Sequence, residues 1–151
     1  MKHSLGPGPI NLPAPVWVIG TYDSQGRPNV MTASWVGICC SKPPCVAVSV
    51  RKSRYTYEAI VARQAFTISV PSRAHVKAAD YFGIASGRTE DKLARAGLTA
   101  VPSELVDAPY VGEFPAVMEC RLRHTLEIGT HTQFIGEILD IKVDEALLKP
   151  D

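Results

Sequence analysis

Ser49 and Arg51 project from one face of an apolar strand, and Lys52, Ser53, Arg54, Tyr55 and Thr56 follow at once. Residues two apart on a strand share a face, and the segment after Arg51 reads as a helix start. A helix N-terminus presents unpaired N–H groups to an anion, so cations and hydroxyls gathered there suit a phosphate dianion. A solvated basic turn capped by Ser53 fits the same spacing equally well. Upstream, Asn29 and the run Thr32-Ala33-Ser34 offer small side chains with hydrogen-bonding groups. Such residues let a backbone approach a flat ring; a Thr- and Ser-rich strand edge is the plainer alternative. Trp35 reads more readily as core than as a platform for a ring. Cys39 and Cys40 are adjacent, which strains a disulfide, so they are expected to behave as small hydrophobes. His131 stands alone in a Gly129-Thr130-His131 turn, while His3, His75 and His124 belong to no pattern. No G-x-G-x-x-G follows a strand, and neither a nucleophile elbow nor zinc-ligand spacing is present.

The elements that must position these groups belong to a chain of 151 residues, 46% hydrophobic and 21% charged, with a formal net charge of +1. That length and composition imply one globular domain over 1–151, with no linker or repeat. The charge balance argues against a nucleic-acid footprint or a basic membrane anchor. Neither a 20-residue apolar run nor a signal-peptide core is present, so a cytoplasmic protein is expected. Cys39, Cys40, Cys45 and Cys120 form no framework and are expected to be free thiols.

Residues 1–15, rich in Pro and Gly, are expected to lie extended on the surface or against a partner. Strands are expected at Val16–Thr21 and Asn29–Trp35, paired as a hairpin through a turn at Asp23–Arg27. A loop follows over Val36–Pro44. In the strand Cys45–Arg51, Val46, Val48 and Val50 face the core. A helix over Tyr55–Arg63 should bury Tyr57, Ile60, Val61 and Gln64. A strand Ala65–Val70 precedes a helix Ala74–Phe82, capped by Ser72 and stopped at Gly83. A polar loop, Gly83–Lys92, and an irregular stretch, Gly97–Phe114, lead to two long strands. In Ala116–Ile128, Met118, Cys120, Leu122, Leu126 and Ile128 face the core, opposite Glu119, Arg121, Arg123, Thr125 and Glu127. Gln133–Val143 is apolar on both faces. About six mostly antiparallel strands with two or three short helices imply a small closed barrel. Apolar residues on its outer face imply a two-fold dimer.

The runs VWVIGTYDSQGRPNVMTASW, SKPPCVAVSVRKSRYTYEAI, FTISVPS, YFGIASGRTEDK and ECRLRHTLEIGTHTQFIGEI occur in order between Val16 and Val143. In these the chain resembles the flavin reductase-like family, with flavoredoxin-type members the nearest match. The resemblance implies a mainly β, mostly antiparallel, Greek-key-like split barrel with short helices. It implies a homodimer binding FMN non-covalently near the subunit interface. Members reduce free flavin with NADH or NADPH, or keep the flavin bound and pass electrons on to free flavin, ferric iron or a redox protein. By this resemblance, Asn29, Thr32, Ala33, Ser34 and Trp35 line the ring and ribityl chain. Cys40 and Ser41 touch the ribityl or the flavin edge. Ser49, Val50, Arg51, Lys52, Tyr55 and Thr56 hold the phosphate. The segment from Ser86 to Lys92 closes over the cofactor, and His131 is the catalytic residue beside the flavin. Two departures stand out. Many relatives have Gly-Asp-His where this chain has Gly129-Thr130-His131, which removes the carboxylate that would orient the imidazole. Relatives also continue past the position of Asp151 with a segment near the site, so here the site is expected to be more open, or covered by another subunit.

Overall fold

The computed structural model describes residues 1–10 and 12–148. Asn11 of the lead-in and the end at 149–151, on which the expectation of an open site rested, lie outside the described residues. The rest of the lead-in has no regular structure and is exposed, as expected.

Strands β1 (Trp17–Tyr22) and β2 (Pro28–Ala33) form the expected antiparallel hairpin, with Gly26 at φ +76 in its turn. The stretch read as a loop is instead strand β3 (Val36–Ser41), paired antiparallel to β4 (Pro44–Arg51). Lys42 and Pro43 alone make the turn, so the prolines end a strand instead of filling a loop. Helix α1 (Tyr55–Arg63) and β5 (Ala65–Val70) fall where the periodicity placed them. The helix buries Thr56, Ala59 and Ile60; Val61 is exposed and Gln64 is its left-handed C-cap. No side chain caps its N-terminus, Ser53 included. The second helix splits into a 3-10 turn at Arg73–His75 and α2 (Val76–Ile84), which runs through Gly83 to a C-cap at Ala85. Ser72 makes no cap bond; its hydroxyl meets His75 Nδ1 at 3.0 Å. After α3 (Lys92–Ala96), the stretch read as irregular holds a two-stranded ribbon, β6 (Ala100–Pro102) and β7 (Pro109–Val111). Long strands β8 (Ala116–Ile128) and β9 (His131–Val143) complete the fold.

Seven strands join in the order β2-β1-β5-β8-β9-β4-β3, every neighbour antiparallel, giving more strands than the six expected. The sheet rolls around one core in which Ile19, Val46, Val48, Phe66, Ile68, Cys120 and Phe134 are essentially inaccessible. Its two edge strands, β2 and β3, are consecutive in the chain and separated only by Ser34 and Trp35. A second cluster, including Val18, Val30, Ala79, Phe82 and Leu93, packs α2 and α3 against the outside of β1 and β2. This is the mainly β barrel with short helices that the alternation implied.

Along β8 the expected alternation holds as far as Leu122 and then breaks at a bulge between Leu122 and His124. Beyond it, Leu126 and Ile128 are exposed instead of core, because the extra residue re-aims the strand where it outruns the barrel. Glu119 does face outward, yet it is fully buried. The 103–107 loop folds over it, and its carboxylate accepts from Leu105 N at 2.9 Å and from Lys142 Nζ.

Gly136 on β9 is held by packing. A Cβ there would lie 2.5 Å from the tip of the Phe66 ring and 3.0 Å from Cys120 Cβ. Gly136→Ala should therefore cost about 1–3 kcal/mol through overpacking. A lowered urea midpoint with an unchanged slope is the expected reading.

Candidate functional site

Three adjoining hollows form one groove where the barrel seam meets the helices. The first, ≈ 320 Å³, lies between the end of β2, the Ser34-Trp35 link, the end of β4 and His131. Met31, Thr32 and Arg54 also line the second, ≈ 120 Å³, which sits between the start of α1 and residues 82–87. Tyr55, Gly87 and Lys92 carry the groove on into a third, which ends at Asp23 and Arg27. The large first lobe has room for a planar ring system; the small second one suits a compact anion.

The first lobe exists because the chain crosses between sheet edges there. Ser49 N donates to Trp35 O at 3.1 Å, tying the link to β4. Ala33 and Ser34 border the lobe, and Trp35, partly exposed, sets its ring 4.8 Å from the His131 ring at a 40° tilt. His131 pairs with Arg51 across β4 and β9. Its Nδ1 lies 3.0 Å from Thr130 Oγ1, so a hydroxyl takes the place of the missing carboxylate as the ring's partner. Gly8, Pro9 and Ile10 of the lead-in share a hollow with Trp35 and Ser49 at the mouth. Val50 contributes backbone only, since its side chain is in the core.

The second lobe has the character of an anion cradle. The uncapped N-terminus of α1 opens into it, and Arg54 borders both it and the first lobe. Arg51 and Arg54 make no ion pair among the described residues. On the opposite wall Lys92 is 95% buried and donates to the carbonyls of Phe82 and Ala85, both at 3.3 Å. Burial pulls its ammonium down to about 8, against the pull of Glu90 and reinforced by Arg54. Ser86 borders this lobe from the same segment. Thr56 and Asn29 act behind the wall: Asn29 Nδ2 donates to Thr56 Oγ1 at 3.0 Å, and both are buried. Asn29 Oδ1 is buried without a partner. A Cβ on Gly87 would lie 2.2 Å from that oxygen and 2.8 Å from Tyr55 Cδ1, so only glycine allows the covering segment to approach this closely. Thr32 also acts structurally, donating its hydroxyl to the Ala79 carbonyl.

Tyr55 extends the wall towards the third hollow. Its hydroxyl donates to Asp23 Oδ2 at 2.8 Å, and the Arg88 guanidinium lies 5.7 Å from its ring centre. Asp23 also accepts from Gln25 N, Arg27 N and Arg27 Nε at 2.8–2.9 Å.

Most of the residues marked in the sequence thus meet in one groove, but three do not. Lys52 turns away and bonds Glu127 Oε1 at 2.7 Å. Cys40 and Ser41 are exposed at the far end of the β3–β4 ribbon, opposite Cys45 and Pro44. At about 3.4 Å per residue, Cys45 lies roughly 20 Å along β4 from Arg51. Residues that acquire weight only in the structure are Met31, Gly87, Arg54 as the shared wall, and the Asp23–Arg27–Tyr55 cluster. The basic run at 51–54 contained the signal for Arg54; nothing in sequence separation linked Asp23 to Tyr55.

Comparison with known proteins places this geometry. Residues 10–150 match the family described as flavin reductase-like domain. The flavoredoxin of Desulfovibrio vulgaris (Miyazaki F) is 60% identical, superimposes with a TM-score of 0.93, and is matched over 99% of this chain and 80% of its own. The flavoredoxin of Methanosarcina acetivorans is 33% identical with a TM-score of 0.91, over 100% of this chain and 81% of that one. A ferric-chelate reductase (NAD(P)H) of Archaeoglobus fulgidus is 32% identical over 83% of this chain and 73% of its own length. Other relatives are longer: the chain spans 63% of one from Pyrococcus abyssi and 46% of one from Aeropyrum pernix. The chain belongs to the flavin reductase-like family.

The Asp23 cluster fixes an acid-stability window. Burial would raise this carboxyl, but hydrogen bonds from Arg27 N, Tyr55 OH, Gln25 N and Arg27 Nε outweigh it and hold the group at about 2, against 3.8 ordinarily. Its stabilisation is complete above 3.8 and is lost as pH falls towards 2. Asp23→Asn should lower the thermal midpoint at neutral pH and flatten its decline across that acid window.

Proposed function

We propose that this chain is an oxidoreductase that holds FMN non-covalently in the groove, takes electrons from NADH or NADPH, and passes them to free flavin, ferric iron or a redox protein. The observation that carries the reading is the continuity of a ring-sized lobe with a cationic hollow at an uncapped helix N-terminus. Bound there, FMN supplies reversible electron and hydride chemistry on its ring. Arg54, Lys92 and the α1 amides hold the phosphate, while Gly87 allows the 83–92 segment to close that end. Ala33, Ser34, Trp35 and Ser49 flank the ring, and the strand edges exclude water from one side of it. His131, partnered by Thr130, borders the mouth of the lobe where a nicotinamide or another reactant arrives. Its role is to orient that reactant or move a proton. Placement carries the rate: reacting atoms held about 3–3.5 Å apart gain most of what a bimolecular encounter loses.

A second reading is an electron carrier with tightly held FMN and little nicotinamide activity of its own. The 60% identity to a flavoredoxin favours it. Both readings take the protein as a homodimer in the cytoplasm. Leu126 and Ile128, exposed on β8, support the dimer: they pair with Gln133 and His131, so a second copy covering them would also border the mouth. Among the described residues no helix is long and apolar enough to cross a membrane.

Purified protein should be yellow or take up added FMN with quenching of its fluorescence; failure of both overturns each reading. Anaerobic NADH or NADPH should bleach the bound flavin, and bleaching by neither leaves the carrier reading. Arg54→Ala should weaken FMN by about 1.5–3 kcal/mol, the scale of a charge-assisted hydrogen bond, measured by titration.

Lys92 predicts the pH dependence. Its ammonium is charged below about 8 and neutral above, well before an ordinary lysine at 10.5. FMN affinity should therefore fall as pH rises through about 8, and Lys92→Met should bind more weakly at pH 7 with no such fall.

A further inference from the structure

The groove makes no use of the cysteines on the β3–β4 ribbon. The ribbon turns on Lys42 and Pro43, which brings Cys40 opposite Cys45 and Ser41 opposite Pro44. The register slips between Ile38 and Cys40, and Cys39 is the extra residue of that bulge. Three of the chain's four cysteines therefore lie at one end of the β3–β4 ribbon, two on the edge strand and Cys45 on its neighbour. Cys39 and Cys40 are exposed, whereas Cys45 is 6% exposed. Among the described residues no group of three His, Cys, Asp or Glu side chains is arranged to hold a metal ion.

We propose that Cys40 and Cys45 are a thiol–disulfide exchange site that closes to a cross-strand disulfide with low-molecular-weight disulfides. The register fits the bond. Opposed residues in an antiparallel pair have Cα atoms about 4.5 or 5.5 Å apart, and both values fall within the roughly 4.4–6.8 Å that a disulfide spans. Adjacent Cys39 and Cys40 lack that geometry. Exposure assigns the order of events. The Cys40 thiolate attacks one sulfur of the incoming disulfide, whose S–S bond breaks and releases one thiolate. Cys45 then loses its proton to solvent and its sulfur attacks Cys40 Sγ, expelling the second thiolate. The protein has lost two electrons and two protons, and the small disulfide has become two thiols. Burial, with Cys40 and Cys39 alongside, raises the Cys45 thiol, so the second step is the slower one and gains rate with pH. Cys120 takes no part: it is fully buried, and burial pushes its thiol up to about 12.

The bond has a local mechanical effect. Pro44 has no N–H, so the end of the ribbon lacks one donor to its ladder. A disulfide one residue further in ties that end covalently and should slow the opening of β3.

The test treats the purified protein with glutathione disulfide at pH 7 and pH 8.5 and follows intact mass. The expected product has lost two hydrogens, carries no adduct, maps to Cys40–Cys45, forms faster at the higher pH and reverts with dithiothreitol. Amide hydrogen exchange across β3 should slow on oxidation. Cys45→Ser should stall as a single glutathione adduct on Cys40, and Cys45→Ala gives the same reading if the serine disturbs the sheet. A bond from Cys39 to Cys45, a bond between chains, or no reaction at either pH would overturn the proposal.

Discussion

The site depends on how one rolled sheet meets itself. The free edges of the seven-stranded sheet, β2 and β3, are joined by Ser34 and Trp35 alone. Two residues cannot carry a ladder, so the barrel stays split at that point. The Ser49 N to Trp35 O bond holds the crossing to β4 just before that strand ends. A gap lined by backbone and small side chains then lies immediately beside a helix start, and neither the ring lobe nor the anion hollow would exist without the other's boundary. The core that closes the barrel, built on Phe66, Phe134 and the β4 valines, sets how rigid that gap can be.

Four buried polar residues border the groove. Asn29, Thr56, Asp23 and Lys92 are each almost wholly buried, and each bonds to a different element from the one that carries it, Asp23 doing so through Tyr55 as well as bonding within its own turn. Buried polar groups are costly when unpaired and rigid when paired. These groups fix α1, the 83–92 segment and the first hairpin to one another at the point where the groove passes between them. Glu119 and Lys142 do the same for the 103–107 loop, away from the groove.

Much of this was legible in the sequence. An apolar run located β1, which is buried on both faces, and period-two alternation located β4, β5 and most of β8. In the cluster from Ser49 to Thr56, the helix start marked Arg54, Tyr55 and Thr56 beside the second hollow, whereas Ser49 and Arg51, read as phosphate ligands, line the first lobe because β4 ends there. The rest was hidden for particular reasons. The β3 strand is exposed along most of its length and carries Gly37 and two cysteines, so it has no buried face to announce it. Its register, and with it the opposition of Cys40 and Cys45, was therefore invisible, and C-C-x4-C is not a spacing that signals a pair. Lys52 follows Arg51 in the basic run, but the strand's pleat and the turn after it send its side chain to Glu127. Leu126 and Ile128 continue an apolar alternation that a bulge has already interrupted.

The neighbourhood of Lys92 sets the field in the anion hollow. Helix α1 turns its N-terminus, the positive end of its peptide dipoles, towards that space, while α2 ends across from it with its unpaired carbonyls. Left alone, those two helix ends would oppose each other and largely cancel. Lys92 lies on the carbonyls of Phe82 and Ala85, covering the negative end with an ammonium. One wall of the hollow thus owes its sign to a single proton: while it is in place, the ammonium screens the carbonyl end of α2 from the amides of α1.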